Sequence, residues 1–168
     1  YYGRELFYHE RYEEASKTFC QFLKDPNAWA ENKIDACMQL SRCYQFLGKE
    51  MESLSVLFYS FSFDVPRAEI CCEIGRLLIN KNSYRQAAYW YEQALVSPSG
   101  EATGAFIQQD YHDYIPSIQL CICYDRLGEH KKAFEFHRRS MSIKPNAKEV
   151  LLNQVYFQKL FNLPSISN

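Results

Sequence analysis

The stretch SYRQAAYWYEQALVSP (residues 83–98) decides the fold, because the chain repeats its pattern three more times. The matching segments are RYEEASKTFCQFLKDP (11–26), EMESLSVLFYSFSFDVP (50–66) and HKKAFEFHRRSMSIKP (130–145). Each has apolar residues at helical spacing and ends near a proline, which cannot continue a helix. The chain is therefore predicted to be all-α, with four related helices.

A second set of helices precedes these segments, and its members share a small residue at one place. The four small residues are Gly3, Ser41, Gly75 and Cys121. The later helices share small residues as well, namely Ala15, Ser53, Ala87 and Ala133. Paired antiparallel helices approach closely only where small side chains meet large ones. We therefore predict helix-turn-helix pairs packed at these positions, with large partners that include Phe19, Leu57, Tyr91 and His137.

The connections between these helices carry their own signals. Gly48 in LGK and Gly128 in LGE are expected just past helix ends, where glycine adopts the left-handed conformation easily. The intervals between the small residues of the first helices are 38, 34 and 46 residues, so the last interval holds an insertion, predicted as a loop at 97–116. Residues 146–161 are apolar at helical spacing and are predicted to form a C-terminal capping helix.

This pattern resembles the tetratricopeptide repeat, a helix-turn-helix unit with a period of about 34 residues. The resemblance implies one all-α domain over residues 1–168, a right-handed superhelix of about four repeats. The predicted repeats are 1–27, 28–66, 67–98 and 114–145. The resemblance also implies a protein-interaction module.

The composition limits the classes of partner. The 19 basic and 20 acidic residues nearly cancel, so we expect no binding of nucleic acid. No stretch approaches the roughly 18 apolar residues of a membrane span. We expect a cytoplasmic protein, and because the chain begins without Met inside a helical pattern, we expect a piece of a longer one.

Seven cysteines are scattered over apolar helical stretches: Cys20, Cys37, Cys43, Cys71, Cys72, Cys121 and Cys123. Their spacing lacks the paired two-residue gaps of structural zinc sites. Free thiols buried in the core of a cytoplasmic protein are favoured over metal or disulfides.

Four large aromatic residues, Trp29, Tyr89, Trp90 and Tyr91, are expected in the core rather than on a surface for stacking bases.

The first helices of such a solenoid line its concave side, which is the default binding surface. The residue after the small position is Arg4, Arg42 and Arg76 in the first three units. In the fourth unit it is Ile122, and Arg126 follows one turn further along the helix. The other predicted groove residues are polar: Gln39, Gln45, Glu73, Asn80, Gln119 and Asp125. Because arginine presents a planar fork of donors, we predict binding of an acidic or extended peptide. In the alternative, each arginine pairs with a neighbouring glutamate, as Arg76 could with Glu73.

The sequence contains no recognisable catalytic constellation, Gly-rich phosphate loop or metal-binding motif. Asp110, His112 and Asp113, in the predicted loop, form the one cluster of side chains that could suggest a metal or catalytic site. Asp113 is expected to cap a helix that begins near Tyr114 rather than to bind metal. We expect no enzymatic activity and no cofactor for this chain.

Several longer segments resemble a narrower family, the C-terminal repeat region of bacterial family 2 glycosyltransferases. They are YYGRELFYHERYEEA (1–15), VPRAEICCEIGRLL (65–78), AAYWYEQAL (87–95) and YIPSIQLCICYDRLGEHKKAFEFHRRSMSIKPN (114–146). The resemblance implies a parent enzyme that transfers a sugar from a nucleotide-sugar donor, with a divalent metal, to an acceptor. The repeats would then serve acceptor docking or homodimer formation, or pack on the parent's own catalytic domain. The alternative is a stand-alone adaptor that binds an acidic or extended peptide.

Overall fold

The computed structural model describes residues 2–98 and 108–163, and within these ranges every regular element is a helix. The α-helices are α1 (Tyr2–Tyr8), α2 (Tyr12–Leu23), α3 (Ala30–Phe46), α4 (Glu50–Tyr59), α5 (Ala68–Asn80), α6 (Tyr84–Val96), α7 (Tyr114–Arg126), α8 (His130–Ile143) and α9 (Lys148–Phe161). Single 3-10 turns occur at Ser60–Ser62 and Gln109–Tyr111. The chain divides after Pro66 into two compact units. The prediction of an all-α chain is confirmed.

The first unit contains α1 to α4, and each of these helices packs against the next one along the chain. A Cβ atom added at Gly3 would lie 3.0 Å from the ring of Phe19 on α2, so these helices meet where the small residue was predicted. In the next pair, the hydroxyls of Ser41 and Ser53 lie 2.9 Å apart in the buried contact between α3 and α4. The small residues therefore mark the closest approach in both helix pairs.

The second unit contains α5 to α9 and repeats this packing. A Cβ atom at Gly75 would lie 2.6 Å from Cε2 of Tyr91, whose ring on α6 is buried. Ala133 of α8 and Cys121 of α7 are also buried. His137, predicted as a large partner, is fully buried, and its Nε2 lies 2.7 Å from Oε1 of Gln154 on α9. Packing thus continues from the last helix pair into α9.

Four turns join the helices of the pairs in the same way. Gly48 and Gly128 have φ values of 71° and 78°, which confirms the left-handed conformation expected of them. Glu10 and Asn82 adopt the same conformation, with φ of 58° and 57°, although neither is glycine. In each turn the following residue donates its backbone N–H to the carbonyl five residues earlier, as Lys49 does to Tyr44 at 2.8 Å.

Six of the seven cysteines are buried, and Cys20 is half-buried. They pack among the apolar residues of the two units, as expected of small hydrophobic side chains. Burial raises the pKa of the Cys37, Cys121 and Cys123 thiols to about 12.

Two expectations about aromatic residues were wrong. Trp29 is 78% exposed because it precedes the first turn of α3, and Tyr89 is exposed because it lies on the face of α6 opposite the buried Ala87. Residues 114–116, at the end of the predicted loop at 97–116, belong to α7, which begins at Tyr114 as expected from the sequence. Residues 99–107 of that loop lie outside the described residues.

Candidate functional site

The first unit contains four of the predicted groove residues. Nη2 of Arg4 on α1 lies 2.5 Å from Oδ2 of Asp35 on α3, so this guanidinium bridges two helices. Gln45 donates to Oγ of Ser41 at 3.3 Å. The other two, Gln39 and Arg42, are half-buried on α3.

In the second unit, Arg76 forms a two-point ion pair on its own helix. Its Nη2 lies 2.6 Å from Oε1 of Glu73, and its Nε lies 3.0 Å from Oε2. This hydrogen bonding raises the pKa of the Arg76 guanidinium. The geometry is the one expected if the arginine pairs within the protein. Asn80 is exposed at the end of α5, and Gln119 is half-buried on α7.

A cleft of about 270 Å³ lies between α7 and α9, and we call it the α7–α9 cleft. It is lined from α7 by Cys121, Ile122, Asp125 and Arg126, and from α9 by Asn153, Tyr156 and Phe157. Both helices stand at the first-helix position of the repeat, so the cleft lies on the kind of surface predicted to bind a partner. Asp125 and Arg126 are the two predicted residues that it brings together.

Asp125 is the centre of a small polar network in this cleft. Tyr156 on α9 donates its hydroxyl to Oδ1 of Asp125 at 2.8 Å, and Nδ1 of His130 lies 2.7 Å from the same oxygen. The hydrogen bond to Asp125 raises the pKa of the Tyr156 hydroxyl above its ordinary value. Asn153 donates to Sγ of Cys121 at 3.7 Å, a second polar link across the cleft. These bonds hold α9 against α7 and fix the width of the cleft.

Arg126 extends from the same helix and is exposed. Within the described ranges no carboxylate forms an ion pair with its guanidinium. Ile122, which is 37% exposed, supplies apolar surface beside it, and the buried Phe157 lies beneath the cleft. The guanidinium of Arg126 can therefore donate hydrogen bonds to a carboxylate of a partner. The apolar surface beside it can contact an aliphatic side chain of the same partner.

The sequence did not identify Asn153 and Tyr156 as site residues. Val155, which lies between them, follows Cys121 by 34 residues, the same interval that separates Ser41 from Gly75. This spacing was the signal that α9 continues the repeat as a first helix and contributes to the cleft.

A larger cleft of about 530 Å³ lies in the first unit and is mostly apolar. We call it the α2–α4 cleft, since Leu23 of α2 and Met51, Val56 and Tyr59 of α4 form its sides. Its floor includes Tyr44 of α3, whose hydroxyl lies 3.5 Å from Sγ of Cys20. None of the predicted groove residues lines it.

The acidic cluster at 110–113 is used within the fold. Asp113 accepts a hydrogen bond from the backbone N–H of Tyr114, which confirms the predicted helix cap. Lys144 Nζ lies 2.5 Å from Oδ2 of Asp110. In the described part of the chain, no three His, Cys, Asp or Glu side chains are grouped as metal ligands would be. Nor do the helices seen there include one with the length and apolar character to cross a membrane.

Comparison with known proteins supports the repeat assignment. Residues 68–95, which form α5 and most of α6, match the family described as tetratricopeptide repeat. No curated protein sequence matches the chain.

Solved structures share the fold over most of the chain. A crystal structure of MamA covers 96% of this chain and 85% of its own, with a TM-score of 0.73 at 20% identity. MamA from Desulfovibrio magneticus RS-1 covers 96% of this chain and 82% of its own, with a TM-score of 0.72 at 14% identity. YrrB, a TPR protein with an unusual peptide-binding site, covers 90% and 70%, with a TM-score of 0.64 at 17% identity. Residues 68–95 are therefore a tetratricopeptide repeat, and the chain has the helical-pair fold of tetratricopeptide-repeat proteins.

Proposed function

We propose that this chain is a protein-interaction module that binds an acidic, extended polypeptide segment in the α7–α9 cleft. The observation that carries the proposal is the exposed Arg126 side chain beside the partly exposed, apolar Ile122 in a cleft formed by α7 and α9. YrrB, which has the same fold, is a peptide-binding protein, and this supports the class of function.

The size and polarity of the cleft fit short polypeptide contacts. Its volume of about 270 Å³ is below the range of about 300–1,000 Å³ common for small-molecule sites, so it suits one or two side chains of a longer ligand. Asp125 is already engaged by Tyr156 and His130, whereas Arg126 faces outward. The cleft therefore favours a carboxylate over a cationic side chain.

Selection from a random peptide library displayed on phage tests this proposal. We expect the enriched peptides to contain acidic residues, and Arg126→Glu to weaken the binding of a synthetic selected peptide at least tenfold, because it replaces attraction by repulsion. Fluorescence anisotropy measures the affinity. Arg138→Glu is the matched control, since Arg138 is an exposed arginine of α8 outside the cleft. Equal affinity of the wild type and Arg126→Glu would exclude the cleft as the binding site.

We further propose that the module belongs to a bacterial, cytoplasmic glycosyltransferase, which uses a nucleotide-sugar and a divalent metal in another domain. The support is the resemblance of residues 1–15, 65–78, 87–95 and 114–146 to the repeat region of that family. In such an enzyme the module would dock the acceptor or join two copies. A stand-alone adaptor with the same cleft is the alternative.

The two alternatives differ in nucleotide-sugar binding. Isothermal titration calorimetry of the full-length natural protein with a nucleotide-sugar and Mn²⁺ is expected to show binding, whereas the 168-residue chain shows none. A full-length protein without a nucleotide-sugar site would leave the adaptor as the function.

A further inference from the structure

The α2–α4 cleft lies on a different surface from the predicted groove, because the second helices α2 and α4 form its sides and the first helix α3 forms its floor. Its volume of about 530 Å³ is within the range of about 300–1,000 Å³ common for ligand sites. Met51 and Tyr59, which line it, are 64% and 49% exposed. Both α2 and α4 pack against α3, which lies between them in the chain, so the cleft is not an open end of the helix array.

The equivalent place in the second unit is spanned by three polar side chains. Tyr124 of α7 donates its hydroxyl to Oε1 of Glu92 on α6 at 2.5 Å. Nζ of Lys132 on α8 donates to the Tyr124 hydroxyl at 2.8 Å and lies 3.3 Å from Oε1 of Glu92. The three side chains link three consecutive helices, and Tyr124 is only 7% exposed.

The first unit has a different set of residues at these three places. Relative to the small residues of their helices, Cys20, Tyr44 and Glu52 hold the places of Glu92, Tyr124 and Lys132. The tyrosine is therefore the same in both units, whereas a cysteine replaces the glutamate and a glutamate replaces the lysine. The first unit has the hydroxyl and a carboxylate, but its own chain supplies no cation at the place of Lys132.

Tyr44 and Glu52 remain available to a cation from outside the unit. The Tyr44 hydroxyl lies 3.5 Å from Sγ of Cys20, and its ring is half-buried where that of Tyr124 is buried. Glu52 is exposed and, within the described ranges, forms no ion pair. Nζ of Lys49 lies 6.0 Å from the centroid of the Tyr44 ring, and Lys49 does not line the cleft.

The environment of Tyr44 also favours a cation. Burial, the contact with Cys20 and the nearby charge of Glu52 raise the pKa of the Tyr44 hydroxyl to about 12, so it stays protonated near neutral pH. The other charged residue that lines the cleft is Lys24, which is exposed and follows Cys20 by one turn of α2. A cationic group in the cleft is therefore attracted to Glu52 and repelled by Lys24.

We propose that the α2–α4 cleft binds a polypeptide segment of a partner protein that carries a lysine flanked by apolar residues. The lysine ammonium lies beside the Tyr44 hydroxyl and the Glu52 carboxylate, as Lys132 lies beside Tyr124 in the second unit. The flanking apolar residues pack against Met51 and Tyr59. This site is separate from the α7–α9 cleft and prefers the opposite charge, so it does not depend on the proposed function.

Three dye-labelled peptides test the charge preference. They have the sequence Gly-Ser-Leu-X-Leu-Ser-Gly, with lysine, norleucine or glutamate at X, and norleucine supplies an aliphatic chain without the ammonium. We expect the lysine peptide to bind the 168-residue chain about tenfold more tightly than the norleucine peptide, and the glutamate peptide to bind more weakly than either. Fluorescence anisotropy measures the affinities, and amide NMR shifts locate the peptide, with changes expected at Tyr44 and Glu52.

Two variants link that preference to the cleft. Glu52→Lys is expected to weaken the lysine peptide about tenfold, because it places a like charge beside Tyr44. The double variant Cys20→Glu with Glu52→Lys reproduces the residues of the second unit, so we expect it to lose the preference for lysine over norleucine. Glu13→Lys makes the same charge change at an exposed glutamate in the first turn of α2, outside the cleft, and should leave the affinity unchanged. Circular dichroism verifies that each variant keeps its helical content.

Several outcomes would overturn the proposal. It is wrong if no peptide binds, if the lysine and norleucine peptides bind equally, or if Glu52→Lys binds the lysine peptide as the wild type does. NMR shifts confined to the α7–α9 cleft would place the lysine at Asp125 instead. If the 168-residue chain binds the lysine peptide and the full-length natural protein does not, a segment of the same protein fills the cleft, and the assignment to a partner is wrong.

Discussion

Replacing His137 by alanine is expected to lower the free energy of unfolding of the second unit by about 3 kcal/mol, since large-to-small core substitutions cost about 2–5 kcal/mol. The imidazole is fully buried, with its ring centroid 5.3 Å from that of Phe157 and 6.0 Å from that of Phe134. Alanine would leave a cavity between α8 and α9 and would remove the hydrogen bond to Gln154. Chemical denaturation followed by circular dichroism measures the loss.

His137→Leu separates packing from hydrogen bonding at this position. Within the described residues, Nδ1 of His137 is buried without a hydrogen-bond partner, which is unfavourable in the native state. Leucine fills a similar volume and removes that unpaired polar atom. This gain offsets the loss of the hydrogen bond to Gln154, which is half-buried, so we expect a net change of less than about 1 kcal/mol. A loss as large as that of the alanine variant would contradict the view that packing dominates here.

Gly75→Ala is expected to lower the free energy of unfolding of the second unit by about 2 kcal/mol. Alanine gains about 0.5–1 kcal/mol over glycine inside a helix, but overpacking a core costs about 1–3 kcal/mol. The clash wins because the new Cβ would lie within 2.9 Å of three ring atoms of Tyr91, which is buried and cannot move aside. Thermal and urea denaturation measure the change.

Gly3→Ala is the matched substitution in the first unit. Its Cβ would lie 3.0 Å from the ring of Phe19, so a shift of a few tenths of an ångström relieves the contact. The helix propensity of alanine then offsets the cost, and we expect little net change. A stabilised Gly75→Ala would show that Tyr91 has room to move and would contradict the account of the α5–α6 contact.

The helix pairs could be predicted because their closest contacts tolerate few residue types. The positions of Gly3, Ser41, Gly75 and Cys121 recur for a steric reason, and the structure buries all four. The turns were predicted in part, because glycine is the strongest sequence signal of a left-handed residue, asparagine is a weaker one, and glutamate is none. Yet the left-handed residue follows each small position by seven, in the order Glu10, Gly48, Asn82 and Gly128. An alignment of the repeats therefore predicts the left-handed conformation at Glu10 and Asn82 as well.

The candidate site was less predictable, because it depends on contacts between helices. The sequence predicted Arg4 as a groove residue. It did not show that Asp35, on another helix, lies 2.5 Å from the Arg4 guanidinium. Helical spacing of apolar residues in 146–161 showed a helix, but it did not distinguish one apolar face from two. The α9 residues of the cleft, Asn153 and Tyr156, are identified only by their contacts with Cys121 and Asp125 of α7.

The buried thiols give the folded state a chemical consequence. Nucleophilic attack on an oxidant needs the thiolate and access, and burial removes both from Cys37 and Cys123, which are fully buried and whose pKa is raised to about 12. These sulfurs become reactive when a unit opens, so oxidative damage follows the population of opened molecules. A sulfenic acid formed in an opened molecule is too polar for the core and opposes reclosure. The resistance of these thiols to oxidants thus depends on the folding stability of the chain. A variant with lower folding stability is also oxidised more readily.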